Sequence, residues 1–299
     1  MELEQIRGVI PPIVTPTDEK DHVVEEPLRR IVDHVIEGGV HGILSMGSNG
    51  EFFGLAPEQQ DRALAITIDQ AKERVPVYAG IGAISTRECV ERAQVAEKAG
   101  ASAVTILPPM FLSPNDQELY DHFRKVAEST ALPVLLYNNP DRMGTGISVS
   151  LMERLSDIPN IVGAKDSSGD LTLTAEFIRR TRDRDFKVMA GRDIMILGTL
   201  AYGGVGCVAS TANFAPGIVV RIYESFVKGD LQDALEAQFK LAPLRMAYGL
   251  GSFPVVTKEY MSILGFDVGS PIAPNSGCTP ENRAKLRQLL LEAGILNHP

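Results

Sequence analysis

From residue 9 to about 228, short runs rich in apolar and β-branched residues alternate with longer stretches whose apolar positions recur every three or four residues. The short runs read as strands buried on both faces, the longer ones as amphipathic helices. The pattern predicts strands at 9–15, 42–46, 77–80, 103–107, 134–137, 161–164, 187–190 and 205–209. It predicts helices at about 25–37, 57–73, 86–99, 115–129, 148–157, 170–182, 193–202 and 216–227. Pro57 can open the second helix, with Glu58 behind it in the first turn. Ser85 or Thr86 can cap the third and Asn115-Asp116 the fourth, while Gly38-Gly39 and Gly100 can stop helices.

Strict alternation of strand and helix implies a parallel sheet, and eight units is the number that closes a (β/α)₈ TIM barrel. A doubly wound open sheet would want a Gly-rich dinucleotide turn after the first strand. Pro11-Pro12-Ile13-Val14-Thr15-Pro16 is no such turn. Beyond residue 228 strand patterns cease, and helices are expected near 230–247, 254–264 and 280–293. The expected organisation is a barrel over 1–228 and a C-terminal helical extension over 229–299 packed on it.

Length and composition fit that picture: 299 residues with 44% apolar and 22% charged positions suit one large core. A net charge of −9 argues against nucleic acid or an anionic membrane as partner. Cys89, Cys207 and Cys278 are far apart and form no CxxC pair, as expected of free thiols in a reducing compartment. The acidic start, Met1-Glu2-Leu3-Glu4-Gln5, lacks the pattern of a signal peptide, so a cytoplasmic location is expected. The histidines show no metal-ligand spacing, and neither a metal nor an organic cofactor is expected.

Barrel enzymes place their chemistry at the C-terminal ends of the strands, which sieves the candidates. Lys165 follows the sixth predicted strand, in Ile161-Val162-Gly163-Ala164-Lys165-Asp166-Ser167-Ser168, and passes. Poor solvation there would lower its pKa and leave neutral amine able to attack a ketone and form a Schiff base; the alternative is a lysine turned to solvent. Tyr137 closes the adjacent strand and can relay protons, or simply pack in the mouth. Ser48 and Asn49, between Gly47 and Gly50, offer hydroxyl, amide and backbone N–H groups to a carboxylate, or form an ordinary turn. Glu51 beside them reads as structural. Arg142 lies in the loop after the fifth strand and could grip a second carboxylate in bidentate fashion, although exposed loop arginines are common. Gly191 and Ser167, after strands seven and six, complete the substrate-binding candidates.

With these residues in place, the sequence resembles the dihydrodipicolinate synthase / N-acetylneuraminate lyase family of Schiff-base barrel enzymes. The resemblance runs from Pro12-Ile13-Val14-Thr15-Pro16 through Gly47-Ser48-Asn49-Gly50-Glu51, Tyr137-Asn138-Asn139-Pro140 and Gly163-Ala164-Lys165-Asp166 to Thr211-Ala212-Asn213. It implies an imine between Lys165 and pyruvate or another 2-oxo acid, with Tyr137 as proton relay. It also implies a carboxylate held by Ser48 and Asn49, a backbone carbonyl of Val208 lining the pocket, and a homotetramer built from dimers. Synthases of the family usually carry Thr-Thr where this chain has Ser48-Asn49, and a second tyrosine, supplied across the dimer contact, where Phe111 aligns. Arg142 matches the synthase pattern, in which it binds the carboxylate of aspartate semialdehyde. Ser48-Asn49-Gly50-Glu51-Phe52 with Lys165-Asp166-Ser167 is similar to 4-hydroxy-2-oxoglutarate aldolase, which again normally has the second tyrosine.

The expected activity is therefore that of a class I lyase condensing pyruvate with an aldehyde. Next in order comes an aldolase or dehydratase of hydroxy-oxo or keto-deoxy sugar acids. A barrel that binds a 2-oxo acid without chemistry is the alternative of another class.

Overall fold

The computed structural model describes residues 3–296; Met1 and Glu2 of the acidic start, and positions 297–299 of the extension, lie outside the described residues. Among these, eight strands follow in order: β1 (Gly8–Val9), β2 (Ile43–Ser45), β3 (Val77–Gly80), β4 (Ala103–Ile106), β5 (Val134–Asn138), β6 (Ile161–Asp166), β7 (Lys187–Ala190) and β8 (Gly206–Cys207). The helices that cross between them are α1 (Glu25–Glu37), α2 (Pro57–Ala71), α3 (Thr86–Ala99), α4 (Asp116–Ala127), α5 (Pro140–Met143), α6 (Val149–Leu155), α7 (Leu171–Thr181), α8 (Ile196–Ala201) and α9 (Pro216–Val227). The last of these, α9, already follows β8, and three more come after it: α10 (Leu231–Met246), α11 (Val255–Ile263) and α12 (Pro280–Glu292).

The strands pair in parallel in the order β1-β8-β7-β6-β5-β4-β3-β2. The chain just past β1 then closes the ring onto β2, where Pro12 bridges Leu44. The Leu44 N–H donates to the Pro11 carbonyl at 2.9 Å, and the Ile13 N–H donates to the Leu44 carbonyl at 3.0 Å. The expected strand at 9–15 is cut short because Pro11 and Pro12 have no N–H to give the ladder. Helix starts follow local chemistry. The Ser85 hydroxyl, not that of Thr86, accepts from the Glu88 N–H. Asn115 forms a capping box with Glu118. Gly100 ends α3 with φ +87°, a conformation that glycine reaches without a steric cost.

Two apolar layers result. The larger lies between barrel and helices; the smaller fills the barrel interior with Ile10, Leu44, Tyr78, Ala103, Leu135, Val162, Met189 and Val208. β6 carries an irregularity that decides what faces inward. Its register with β5 steps from Val134↔Ile161 to Leu135↔Gly163, so one extra residue, Val162, is accommodated on β6. Ile161 and Ala164 pack outward and Val162 inward. After the step β6 runs opposite Tyr137 at Lys165 and Asn138 at Asp166. Lys165 thus sits inside the strand and not beyond its end as expected, because the ladder continues: the Ser167 N–H donates to the Asn138 carbonyl and the Gly191 N–H to the Asp166 carbonyl.

At Gly163 a methyl group would lie 2.4 Å from the Lys187 carbonyl oxygen on β7. Gly163→Ala should therefore push β6 and β7 apart and lower stability by roughly 1–3 kcal/mol, the usual cost of overpacking. Denaturant unfolding checks this; an unchanged midpoint would mean that the strands can spread there freely.

Candidate active site

Ladder partners on β5 and β6, Tyr137 and Lys165 both point into the barrel mouth, and each is only 6% exposed. Lys165 Nζ stands 3.8 Å from the centre of the Tyr137 ring. A cation over a phenol face contributes about 0.5–2 kcal/mol, enough to hold a flexible stem in place. Tyr137 Oη accepts a hydrogen bond from Asn139 Nδ2 at 3.0 Å. Burial pushes the phenol pKa up. The Lys165 charge, with Ser48, Lys165 and Ser167 as polar neighbours, outweighs burial and holds it below the ordinary tyrosine value. Such a phenol can take a proton from the amine and return it elsewhere.

The loop after β2 completes the mouth. Ser48–Gly50 form a short 3₁₀ turn, and Ser48 reaches the Tyr137 hydroxyl. The Gly50 N–H returns to the Gly47 carbonyl, whereas the N–H groups of Ser48 and Asn49 find no acceptor among the described residues. Asn49 is buried, and its Oδ1 accepts from Thr257 Oγ1 at 2.8 Å. Glu51 is 1% exposed and makes an ion pair of 2.5 Å with Lys258, itself 2% exposed. Glu51 Oε1 also accepts from the Ile272 N–H. Glu51 therefore anchors the loop to the C-terminal helices. A buried pair of this kind fixes geometry more than it adds stability.

Around Lys165 the remaining candidates take different positions. Asp166 is a buried carboxylate accepting from Asn138 Nδ2, the Ser168 N–H and hydroxyl, and Thr174 Oγ1. Ser167 stands beside Tyr137, its hydroxyl buried with no partner at hydrogen-bonding geometry. Gly191 leaves room for it: a Cβ there would lie 2.1 Å from Ser167 Oγ. Val208 fills the barrel interior, with its N–H bonded to the Ala190 carbonyl. Arg142 lies out on the rim, its guanidinium 4.6 Å from the Phe253 ring centre. No carboxylate pairs with it among the described residues.

The structure thus brings Lys165, Tyr137, Ser48 and Ser167 together. It places Asn49 and Gly191 just behind them, Val208 inside the barrel, and Arg142 on the rim. Sequence reasoning missed three contributors. Asn139 was seen only as part of a motif. Arg192 donates from Nε to the Ser167 carbonyl at 2.8 Å and pairs with Asp141, so it ties together the loops after β5, β6 and β7. Thr257 touches the loop after β2 from α11, and no periodicity in the sequence could have announced a contact across 208 residues.

Residues 5–293 match the model of the family described as "Dihydrodipicolinate synthetase family". A 4-hydroxy-tetrahydrodipicolinate synthase of Methanopyrus kandleri is 37% identical over 98% of both chains. One from Methanothrix thermoacetophila is 38% identical over 97% of this chain and 98% of its own. Among solved structures, a prophage protein of the dihydrodipicolinic acid synthase family from E. coli K12, in complex with pyruvate, superposes with a TM-score of 0.93. It is 30% identical, over 97% of this chain and 99% of its own. Dihydrodipicolinate synthase from Thermotoga maritima gives 0.94 at 28% identity, over 98% and 100%.

If the Lys165 charge holds down the Tyr137 pKa, Lys165→Met leaves burial to dominate, and the phenolate of Tyr137 should form about 1–3 pH units higher. Ultraviolet titration checks this, with Tyr137→Phe identifying the signal among the seven tyrosines. An unmoved signal would mean that the hydroxyl neighbours, and not the ammonium, set the phenol.

Proposed function

Because this chain belongs to the dihydrodipicolinate synthetase family, we propose that it is a class I lyase whose Lys165 forms a Schiff base with pyruvate or a related 2-oxo acid. The observation that carries the reading is the enclosed Lys165 amine, 3.8 Å from the centre of the Tyr137 ring at the C-terminal mouth of the barrel. The neutral amine adds to the ketone carbon. Tyr137 takes the proton released from nitrogen and delivers one to the departing hydroxyl, so that water leaves and an iminium remains. The 2-oxo acid's carboxylate sits at the Ser48 hydroxyl and the N–H groups of Ser48 and Asn49. Val208, Gly191 and Ser167 shape the wall around the reacting carbon.

The iminium draws electrons from the neighbouring C–H bond, Tyr137 takes the proton released, and the resulting enamine attacks an aldehyde, whose carbonyl oxygen receives that proton as the C–C bond forms. Aspartate semialdehyde is the leading candidate. Arg142, uncommitted on the rim, supplies a bidentate site for that partner's carboxylate. No external cofactor takes part, because the electron sink is made from the substrate itself. The motif Ser48-Asn49-Gly50-Glu51-Phe52 with Lys165-Asp166-Ser167 favours a second reading within the same chemistry, cleavage of a hydroxy-oxo acid. Phe111, 93% exposed on a left-handed backbone at φ +69°, has no hydroxyl to extend a proton relay and departs from both readings alike.

Assembly into a homotetramer is part of the proposal. It is supported by outward apolar side chains in two regions: Phe53, Ile84, Phe111 and Leu112 in the loops after β2, β3 and β4, and Val227, Leu231, Phe239 and Met246 on α9 and α10. A cytoplasmic location is supported by three cysteines that are all free. Among the described residues no helix is long and apolar enough to cross a membrane.

Borohydride added with pyruvate should reduce the imine and leave a stable mass increase on Lys165, which Lys165→Ala abolishes. Turnover by Lys165→Ala would dismiss this nucleophile, and a protein that binds pyruvate without trapping would be a binder only. Arg142→Ala should leave pyruvate trapping intact while raising KM for an acidic aldehyde by about tenfold or more, the loss of one charge-assisted pair. Loss of trapping instead would move Arg142 to the first-substrate site.

A further inference from the structure

Asn49 is held from outside the barrel. Its Oδ1 lies 2.8 Å from the hydroxyl of Thr257, which is fully buried on α11. That hydroxyl is also 3.1 Å from Tyr248 Oη. Burial raises the Tyr248 phenol well above the ordinary value, and the charge of Asp193 adds to the effect, so Tyr248 keeps its proton, with Thr257 and Ser210 as its side-chain partners. Thr257 then gives its single proton to the amide oxygen, which can only accept. In that sense the amide nitrogen is left facing away from α11. Among the described residues Asn49 Nδ2 makes no hydrogen bond, and it is not one of the polar atoms sealed from solvent without a partner. The next residue on α11, Lys258, grips Glu51, so two successive helix positions hold two positions of one loop.

We propose that Thr257 is a positioning residue that presents the Asn49 amide nitrogen-first to the substrate, adding a side-chain donor to the backbone N–H groups of loop 47–51 and thereby favouring a carboxylate. This rests on the reading above that the loop receives the carboxylate of a 2-oxo acid. An amide turned the other way would offer lone pairs to an anion. Valine at 257 has neither proton nor lone pair and would leave the amide free to turn, with the steric shape of threonine almost kept.

The test measures the pyruvate concentration for half-maximal borohydride trapping on Lys165. Thr257→Val is expected to raise it about tenfold, the loss of one well-placed hydrogen bond. The extent of trapping at saturating pyruvate should not change, and Thr257→Ser should restore the wild-type value. Thr257→Ala removes the same hydroxyl should the valine variant not fold. In a double-mutant cycle, Asn49→Ala and Thr257→Val should be strongly non-additive. An unchanged half-saturation, a serine variant as impaired as the valine one, or additive effects would each overturn the proposal. Failure of the wild-type protein to trap pyruvate at all would instead overturn the reading on which it rests.

Discussion

One extra residue in β6 decides which way Lys165 faces. With strict alternation from inward-facing Val162, position 165 would point outward among the helices, into the apolar layer that holds Ala164 and Phe177. The register step between Ile161 and Gly163 reverses the phase. Position 165 then looks into the mouth opposite Tyr137. A bulge of this kind commonly re-aims a side chain near a site, and its local requirement is steric. Only glycine fits at 163, because β7 presents its Lys187 carbonyl where a side chain would begin. The amine, the phenol above which it stands and the hydroxyls around that phenol all depend on this one step.

Electrostatics in the mouth follow from that placement. Two groups that would each resist charge when buried alone, a lysine and a tyrosine, are buried together, and the ammonium favours the phenolate. Their proximity makes proton exchange between them short. The carboxylate nearest in sequence, Asp166, does not intrude. It is occupied by Asn138, Ser168 and Thr174, which pin the end of β6 and the start of α7. The positive charge at Lys165 is thus kept for Tyr137 and for an anionic substrate, while Asp166 holds the strand end in place.

The barrel was legible because its signals are local. Apolar runs of strand length, helical periodicity and caps such as Ser85 and Asn115 each act within a few residues, and the expected α1, α3 and α9 coincide with those found. Lys165 and Tyr137 were legible for a related reason: the topology rule needs only their places at strand ends. What stayed hidden depends on distance in sequence or on phase. The inward turn of Lys165 needs a bulge that leaves no mark beyond a glycine among apolar residues. Asn49 looked like a simple side-chain ligand because nothing in Gly47-Ser48-Asn49-Gly50-Glu51 points to Thr257. Arg192 looked like one more loop arginine, yet it binds three loops into a rim.

The helices after β8 acquire a role from these hidden contacts. A loop between β2 and α2 whose glycines allow many conformations would lose entropy on each binding event if left free. Here Lys258 and Thr257 fix it in advance, and Phe253, just before α11, lies under the Arg142 guanidinium on the far side of the mouth. One short stretch, from Phe253 to Lys258, therefore reaches both the loop proposed to hold the first carboxylate and the arginine proposed to hold the second. Pre-ordering of that kind shifts the entropic cost from binding to folding. Both loop contacts and the arginine contact are thus supplied by one six-residue stretch, although neither proposed subsite contains a residue of the helix.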